Sequence, residues 1–390
     1  MEASRTARKA LLSGIALAVT VGAAACSSSG TSPSSDNSTT SASTSPGVKY
    51  AEAQIAAAMN EPAAPVPSTA IKNLSSLRGK TIYYIPISDD VPAFAITAAA
   101  MKTALATVGI KLNVCSGNFN PSQFVSCFSQ AIGADAAAVV TDAIPYQLTE
   151  GEIKQASAKG IGVVVTDQNP GSDRPTASNI AYISGNDEQY QIANDWIIAN
   201  SDGKADVLEL EATDSPTSQA ATASYALPEI KKYCPGCTET VLKFSSSGEQ
   251  NLSSEISTAL LKNPDIDYIS PQYDQYVSYV TQGIQQAAAT TRIKMAASAA
   301  ALSGLQDVAA SGSTVKAEIA DNQVYNGWID ADEAMRMAVG DAAVPYTIPI
   351  RLFTSSNIGS IQLSNAGMAS GSWFGSTAYQ QQFETLWGVK

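Results

Sequence analysis

The sequence predicts an α/β protein of two lobes, each a doubly wound parallel sheet. Three observations carry that reading. From Lys80 onward, short β-branched runs alternate with helix-length amphipathic stretches, the pattern of βα units around parallel sheets. The alternation comes as two successive series of similar make-up. The chain has 390 residues, 45% of them apolar, more than one hydrophobic core usually holds.

Ahead of the lobes, Arg5, Arg8 and Lys9 precede an apolar run from Ala10 to Val21, and the small residues Gly22 to Ala25 lead to Cys26. This is the build of a cleaved bacterial export signal over 1–25, since a membrane-spanning helix needs about 20 apolar residues. Cys26 is similar to the lipobox cysteine of bacterial lipoproteins, although Ala23 stands where leucine is usual, and is the expected lipidation site. Residues 26–47 are then the lipidated Cys and a Ser/Thr-rich tether, too polar to offset its chain entropy and expected to be disordered. An N-terminal extension over 48–78, helical at Ala51–Met59 and Pro-rich at Glu61–Val66, is expected to pack on the outside.

The first series has strands at Thr81–Pro86, Lys111–Cys115, Ala137–Thr141 and Gly162–Thr166, with helices at Pro92–Val108, Pro121–Ile132 and Thr149–Lys159 between them. One more strand, Ile180–Ser184, precedes Gly185-Asn186-Asp187 and a helix over Glu188–Ala199, where the chain is expected to cross to the second lobe. The second series has strands at Asp206–Glu211, Thr240–Phe244, Asp267–Ser270 and Lys294–Ala297. Its helices are at Ser218–Lys232, Glu249–Leu261, Gln275–Ala288 and Ala301–Ala310. After these, Val315–Ala320 reads as a strand, Tyr325–Val339 as a helix and Ile348–Phe353 as a strand, enough to return to the first lobe and leave again. The lobes are therefore expected at 79–185 plus 322–345 and at 186–321 plus 346–390.

The net charge is −12, and −14 once Arg5, Arg8, Lys9 and Glu2 leave with the signal, too acidic for a binder of nucleic acid or anionic lipid. There is no histidine, which removes the commonest general base and metal ligand and every Ser-His-Asp or Cys-His arrangement. With no GxSxG, no phosphate loop and no metal spacing, no catalysis, cofactor or metal is expected. Beyond Cys26 four cysteines remain, an even number in an oxidising compartment, and the local pairs Cys115–Cys127 and Cys234–Cys237 are expected as disulfides. Cys234-Pro235-Gly236-Cys237 follows a helix in a turn before a strand, so it reads as a staple rather than a redox CxxC.

Several stretches resemble, in order and spacing, the type I periplasmic substrate-binding proteins of ABC transporters. They are Gly79-Lys80-Thr81-Ile82-Tyr83-Tyr84-Ile85-Pro86 with Pro92-Ala93-Phe94, and Asn120-Pro121-Ser122-Gln123 leading into Gln130-Ala131-Ile132. Val163–Asp167 and the closing Phe383-Glu384-Thr385-Leu386-Trp387-Gly388 complete the set. The likeness is to the ribose- and galactose-binding group and its longer actinobacterial lipoprotein relatives, over about Lys80 to Lys390. It implies two lobes joined by three hinge strands, near Ser184–Asp187, Ala320–Gln323 and Val344–Ile348, which close over a small solute for a permease to recognise.

In open parallel sheets, ligands sit outside the carboxyl ends of the strands, so the loops there supply the candidates. After the first strand these are Asp89, Asp90 and Phe94, the last being the one aromatic kept where the resemblance implies two. Asp142 follows the third strand; Asp167 and Gln168 follow the fourth, where the resemblance implies an Asp-Arg pair and the arginine is missing. The second lobe offers Asp214 and the loop Gln272, Tyr273 and Asp274, and Asp321 and Asn322 stand at the hinge position of a family glutamine. These loops carry acids and no Lys or Arg, Arg174 being the one guanidinium near them. A buried charge needs a partner, so the expected ligand is a neutral polyhydroxy or amide compound (a sugar, polyol or nucleoside), or else a cation.

The whole reads as a monomeric lipoprotein on the extracellular face of the cell membrane that captures a solute between its lobes and delivers it to an ABC permease. A ligand sensor for a membrane receptor, and a binder of a small amino or aromatic acid, are the alternatives.

Overall fold

The computed structural model describes residues 45–168, 171–185 and 187–389. The expected signal, Cys26 and most of the tether lie outside them. In lobe 1, strands β1 (Thr81–Pro86), β2 (Lys111–Val114), β3 (Ala138–Asp142), β4 (Gly162–Thr166) and β5 (Ile180–Ile183) form one parallel sheet in the order β2-β1-β3-β4-β5. The central strands β3 and β4 are buried throughout, as their valine runs require when both faces are covered. Helix α2 (Pro92–Thr107) packs on one face, and α3 (Pro121–Gly133) and α4 (Glu150–Ala158) on the other.

Helix α5 (Glu188–Asn200) leads into lobe 2. There β6 (Asp206–Ala212), β7 (Thr238–Phe244), β8 (Tyr268–Ser270), β9 (Lys294–Ser298), β10 (Val315–Asp321) and β11 (Ile350–Thr354) are ordered β11-β10-β9-β8-β6-β7, with only β11 antiparallel. The expected single helix over Ser218–Lys232 is instead α6 (Pro216–Ala221), one π turn over Thr222–Ala226 and α7 (Leu227–Tyr233). Pro228 explains the break, because its ring removes an amide donor and clashes one turn back, and the wider turn absorbs both. Helices α8 (Leu252–Lys262), α9 (Val277–Gln286) and α10 (Leu302–Ala309) cover one face of this sheet. Helix α11 (Gln323–Val339) then returns to lobe 1 and packs on α2, β3 and β4.

The C-terminal end departs from the expected lobe assignment, and the N-terminal extension, expected only to pack on the outside, touches both lobes. Helix α1 (Pro46–Ala58) begins inside the expected tether, capped by Ser45, and sits on lobe 2 against α5 and α7. The following segment then crosses to lobe 1. Arg351 Nε and Asn357 Nδ2 of lobe 2 donate to the Met59 carbonyl, whereas Tyr325 Oη (2.5 Å) and Arg336 Nη2 (2.7 Å) of α11 donate to the Pro65 and Thr69 carbonyls. At the other end, α12 (Asn365–Ser370) and the turn holding Trp373 and Phe374 stay with lobe 2, but α13 (Tyr379–Leu386) packs on lobe 1. The expected placing of all of 346–390 in lobe 2 is corrected by three rings: Trp387 stacks on Trp328 at 5.4 Å, with Phe383 beside both. The lobes are thus joined by the three expected crossings and by a strap at each end of the described chain.

Cys115–Cys127 and Cys234–Cys237 are disulfide-bonded. The second bond lies under the start of α1, where Tyr50 stacks on Tyr233 at 3.7 Å. Gly47 allows this approach, since a Cβ there would come within 1.8 Å of the Tyr233 carbonyl oxygen. Gly47→Ala is therefore expected to lift α1 and lower stability by about 1–3 kcal/mol in chemical denaturation. An unchanged midpoint would show that α1 is not held there. Among the described residues no helix is long and apolar enough to cross a membrane.

Candidate functional site

The carboxyl ends of the strands carry a shared backbone feature. Ala143 after β3, Asp167 after β4, Gln272 after β8 and Ala299 after β9 all have left-handed backbones, with φ of 54°, 56°, 63° and 58°. Such strain costs on the order of 1–3 kcal/mol for a non-glycine residue and gathers where loops must aim side chains. Gln168, next to Asp167, reaches from lobe 1 to Thr217 of lobe 2 at 3.3 Å.

Five carboxyls meet at this junction. Asp142 ends β3, is buried, and accepts from the Tyr84 hydroxyl at 2.5 Å. Burial, and then Asp330 and Asp321 nearby, push its carboxyl well above the usual range despite that hydrogen bond. Asp167, after β4, is exposed to solvent in the space between the lobes; the protein packed around it, then Asp142, Asp321 and Asp187, raise its carboxyl well above the usual range. Asp321, at the end of β10, accepts from Gln323 Nε2 at 2.8 Å and Asn326 Nδ2 at 2.7 Å, and burial still raises it. Asp187, just before α5, is pushed by burial to about 6, with the Tyr225 hydroxyl opposing. Asp330 of α11 is pushed by burial to about 8, with Thr166 opposing and Asp167 adding to the rise. Tyr190 and Tyr273 stand edge to face at 6.0 Å beside Asp167 and Asp187.

The structure thus brings together Asp142, Asp167, Gln168, Tyr273 and Asp321 from the expected set. Phe94 is half-buried on the first turn of α2, and Ile96 on the same helix lines a hinge-side cavity of about 10 Å³ with Ala300, Asp321 and Trp373. The other candidates are held elsewhere. Asp89 and Asp90 are exposed in the loop after β1. Asp214 accepts from Ser245 Oγ at 2.7 Å and from the amides of Ser246 and Ser247, bonds that hold it well below the usual range against the effect of burial. The Gln272 amide is taken up by Ser218 and Thr222. Asp274 turns beneath α10, beside Ser303 and Glu318, and Asn322 caps α11 through the Tyr325 amide at 3.1 Å. Arg174 lies over the Tyr182 ring and donates to the Gly171 carbonyl.

Tyr84, Asp187, Tyr190 and Asp330 belong to the group and were not expected from the sequence. For Asp330 a signal existed: Asp330, Asp332, Glu333 and Arg336 point to several sides of one helix, so they cannot all face water. A groove of about 760 Å³ between β7 and α8 holds none of these residues. The convergent polar groups lie between the lobes, away from that groove.

Comparison with known proteins bears on the family and the fold. A profile of the periplasmic binding protein domain matches residues 82–340. A 5-methylthioribose transporter solute-binding protein from Thermotoga lettingae has a similar fold, with TM-score 0.67 and 15% identity over 84% of this chain and 100% of its own. A sugar ABC transporter protein from Yersinia enterocolitica has TM-score 0.66 and 18% identity over 83% and 99%. The Caulobacter myo-inositol binding protein has TM-score 0.62 and 15% identity over 73% and 96%. No curated protein matches by sequence.

Proposed function

This chain belongs to the family of periplasmic binding protein domains, and from that premise we propose that it captures a small sugar or polyol between its lobes and delivers it to an ABC permease. The family binds solutes for transport and the protein is not an enzyme. The observation that carries the reading is that strand ends of both lobes bring Asp142, Asp167, Gln168, Tyr273 and Asp321 to one junction. Carboxylates and amides give paired hydrogen bonds to hydroxyls, while the Tyr190–Tyr273 edge offers an apolar face to the C–H side of a ring. Structural neighbours that hold allitol and myo-inositol support a polyhydroxy ligand. Lipidation at Cys26, with the protein held on the extracellular face of the membrane, is part of the same proposal and rests on the signal and lipobox-like residues.

A thermal-shift screen against sugars and polyols tests this, because a ligand bound only by the folded state raises the midpoint by mass action. For a hit, Asp167→Ala and Asp321→Ala are each expected to weaken binding by about 1–3 kcal/mol, the cost of unpaired buried donors. Unchanged affinity in both variants would remove the junction from the site.

A further inference from the structure

We propose that this chain forms a two-fold dimer in which β7 of one copy adds antiparallel to β7 of a second, so that the two lobe 2 sheets run on as one. The sequence reads as a monomer, and the edge of that sheet argues otherwise. β7 is an outermost strand, seven residues long. The Thr238 amide donates to the Ala205 carbonyl at 2.9 Å and the Phe244 carbonyl accepts from the Thr213 amide at 2.8 Å, so the even-numbered residues of β7 bond toward β6. A parallel ladder alternates, and the amides and carbonyls of Glu239, Val241 and Lys243 therefore point away from the sheet. Among the described residues none of these groups has a hydrogen-bond partner. The other edges are capped or short. Across the same sheet, Asn357 Nδ2 donates to the Leu352 carbonyl and its Oδ1 accepts from the Thr354 amide, both at 2.8 Å, which caps the outward groups of β11. In lobe 1 the edge strands β2 and β5 have four residues each. Such devices keep edges from pairing, and of the four edges β7 is the one left long and uncapped.

Charge complementarity identifies the occupant as a second copy. An antiparallel partner centred on Val241 puts Val241 opposite Val241, Glu239 opposite the partner's Lys243, and Lys243 opposite the partner's Glu239. All three are residues whose backbone groups face outward, as the hydrogen-bonded pairs of an antiparallel ladder require. Opposite charges directly across such a pair stabilise it, and like charges do the reverse. A strand that complements itself about its middle residue is what a two-fold interface needs. The contact is locally neutral, although the chain as a whole carries −12. Lys243 holds Glu211 at 2.8 Å with its side chain still 64% exposed, so it can bridge that carboxylate and the partner's Glu239. On the other face of the strand, Thr240 then stands opposite the partner's Leu242. Both residues line the groove of about 760 Å³ beside α8, together with Leu208 and Ile266, so the added strand covers apolar surface there.

The test is the mass of the protein in solution, by light scattering, at concentrations up to about 100 μM. It is run at pH 8, where Glu239, pushed by burial to about 7, is charged. The expected result is a mass that rises with concentration toward twice that of one chain. Lys243→Glu and Glu239→Lys each set like charges opposite one another at both ends of the contact, and each is expected to weaken the dimer about tenfold or more. An equimolar mixture of the two variants is expected to restore it, because each supplies the charge the other lacks. Should either variant not fold, Val241→Cys keeps the register testable: the introduced thiols meet at the two-fold axis within disulfide reach, and mild oxidation is expected to join two chains. A monomer throughout that range would overturn the proposal and assign the edge to a different chain. A dimer indifferent to both charge reversals, or one that Val241→Cys does not cross-link, would place the contact elsewhere and overturn it as well.

Discussion

Replacing Arg336 with methionine is expected to cost about 3–5 kcal/mol of stability, read as a lower denaturation midpoint. Arg336 is 1% exposed, and its Nε donates to Asp332 Oδ2 at 2.8 Å in the interior of lobe 1. The same carboxylate oxygen accepts from the Tyr346 hydroxyl at 2.7 Å, and Oδ1 accepts from Trp387 Nε1 at 2.6 Å. Arg336 Nη2 holds the Thr69 carbonyl. One ion pair therefore fastens four stretches: the N-terminal strap, α11, the segment leading to β11, and α13. Removing the guanidinium leaves Asp332 charged and buried, which is far more costly than removing the pair. The double variant Arg336→Met with Asp332→Leu is accordingly expected to be more stable than Arg336→Met alone. A double variant that loses the sum of both single losses would show that the charges are not coupled, and the argument would fail.

Much of this architecture is legible in the sequence, because β-branched runs such as Val163–Val165 and the βα alternation follow from local preference and burial alone. The straps are not. Nothing in the period of Pro46–Ala58 or Tyr379–Leu386 says which lobe covers the apolar stripe; that choice is made by Tyr50 on Tyr233 and Trp387 on Trp328, contacts between residues far apart in sequence. The site divides in a similar way. The rule that strand ends line the site marks the positions of Asp167 and Gln272 equally well, and both have left-handed backbones. Only the fold decides that the Gln272 amide is used up by Ser218 and Thr222, while Asp167 remains open to the space between the lobes. Asp214 and Asn322 show the ordinary competing use of such residues, as anchors and caps for the next turn. Asp330 escaped because it sits in mid-helix, where a carboxyl is usually a solvated surface group.

Stability is expected to fall as pH rises from 5 to 8, the reverse of what paired carboxylates produce. Burial first, then neighbouring acids, raise Asp330 and Asp195 to about 8 and Glu333 to about 7, and Asp142 and Glu318 rise well above the ordinary range. In the unfolded chain such groups lose their protons near pH 4. Between that value and the folded one, the native state holds more protons than the unfolded state, so each step up in pH favours unfolding by about 1.4 kcal/mol per retained proton. At least about 1 kcal/mol per pH unit should be lost over pH 5–7 in denaturant titrations, the share of a single such group. Asp214 works in the opposite sense, but its lowered value places its contribution below pH 4, outside the window. A flat or rising profile would contradict the assignment. The source can be located by substitution: Glu318→Gln removes one carboxyl that lies beneath α10, next to Asp274 and apart from the junction, and should flatten the slope and raise stability at pH 8. Asp330→Asn should flatten it as well, and only Asp330→Asn should also alter the affinity for a bound solute, because of the two groups it alone stands with Asp142 and Asp167.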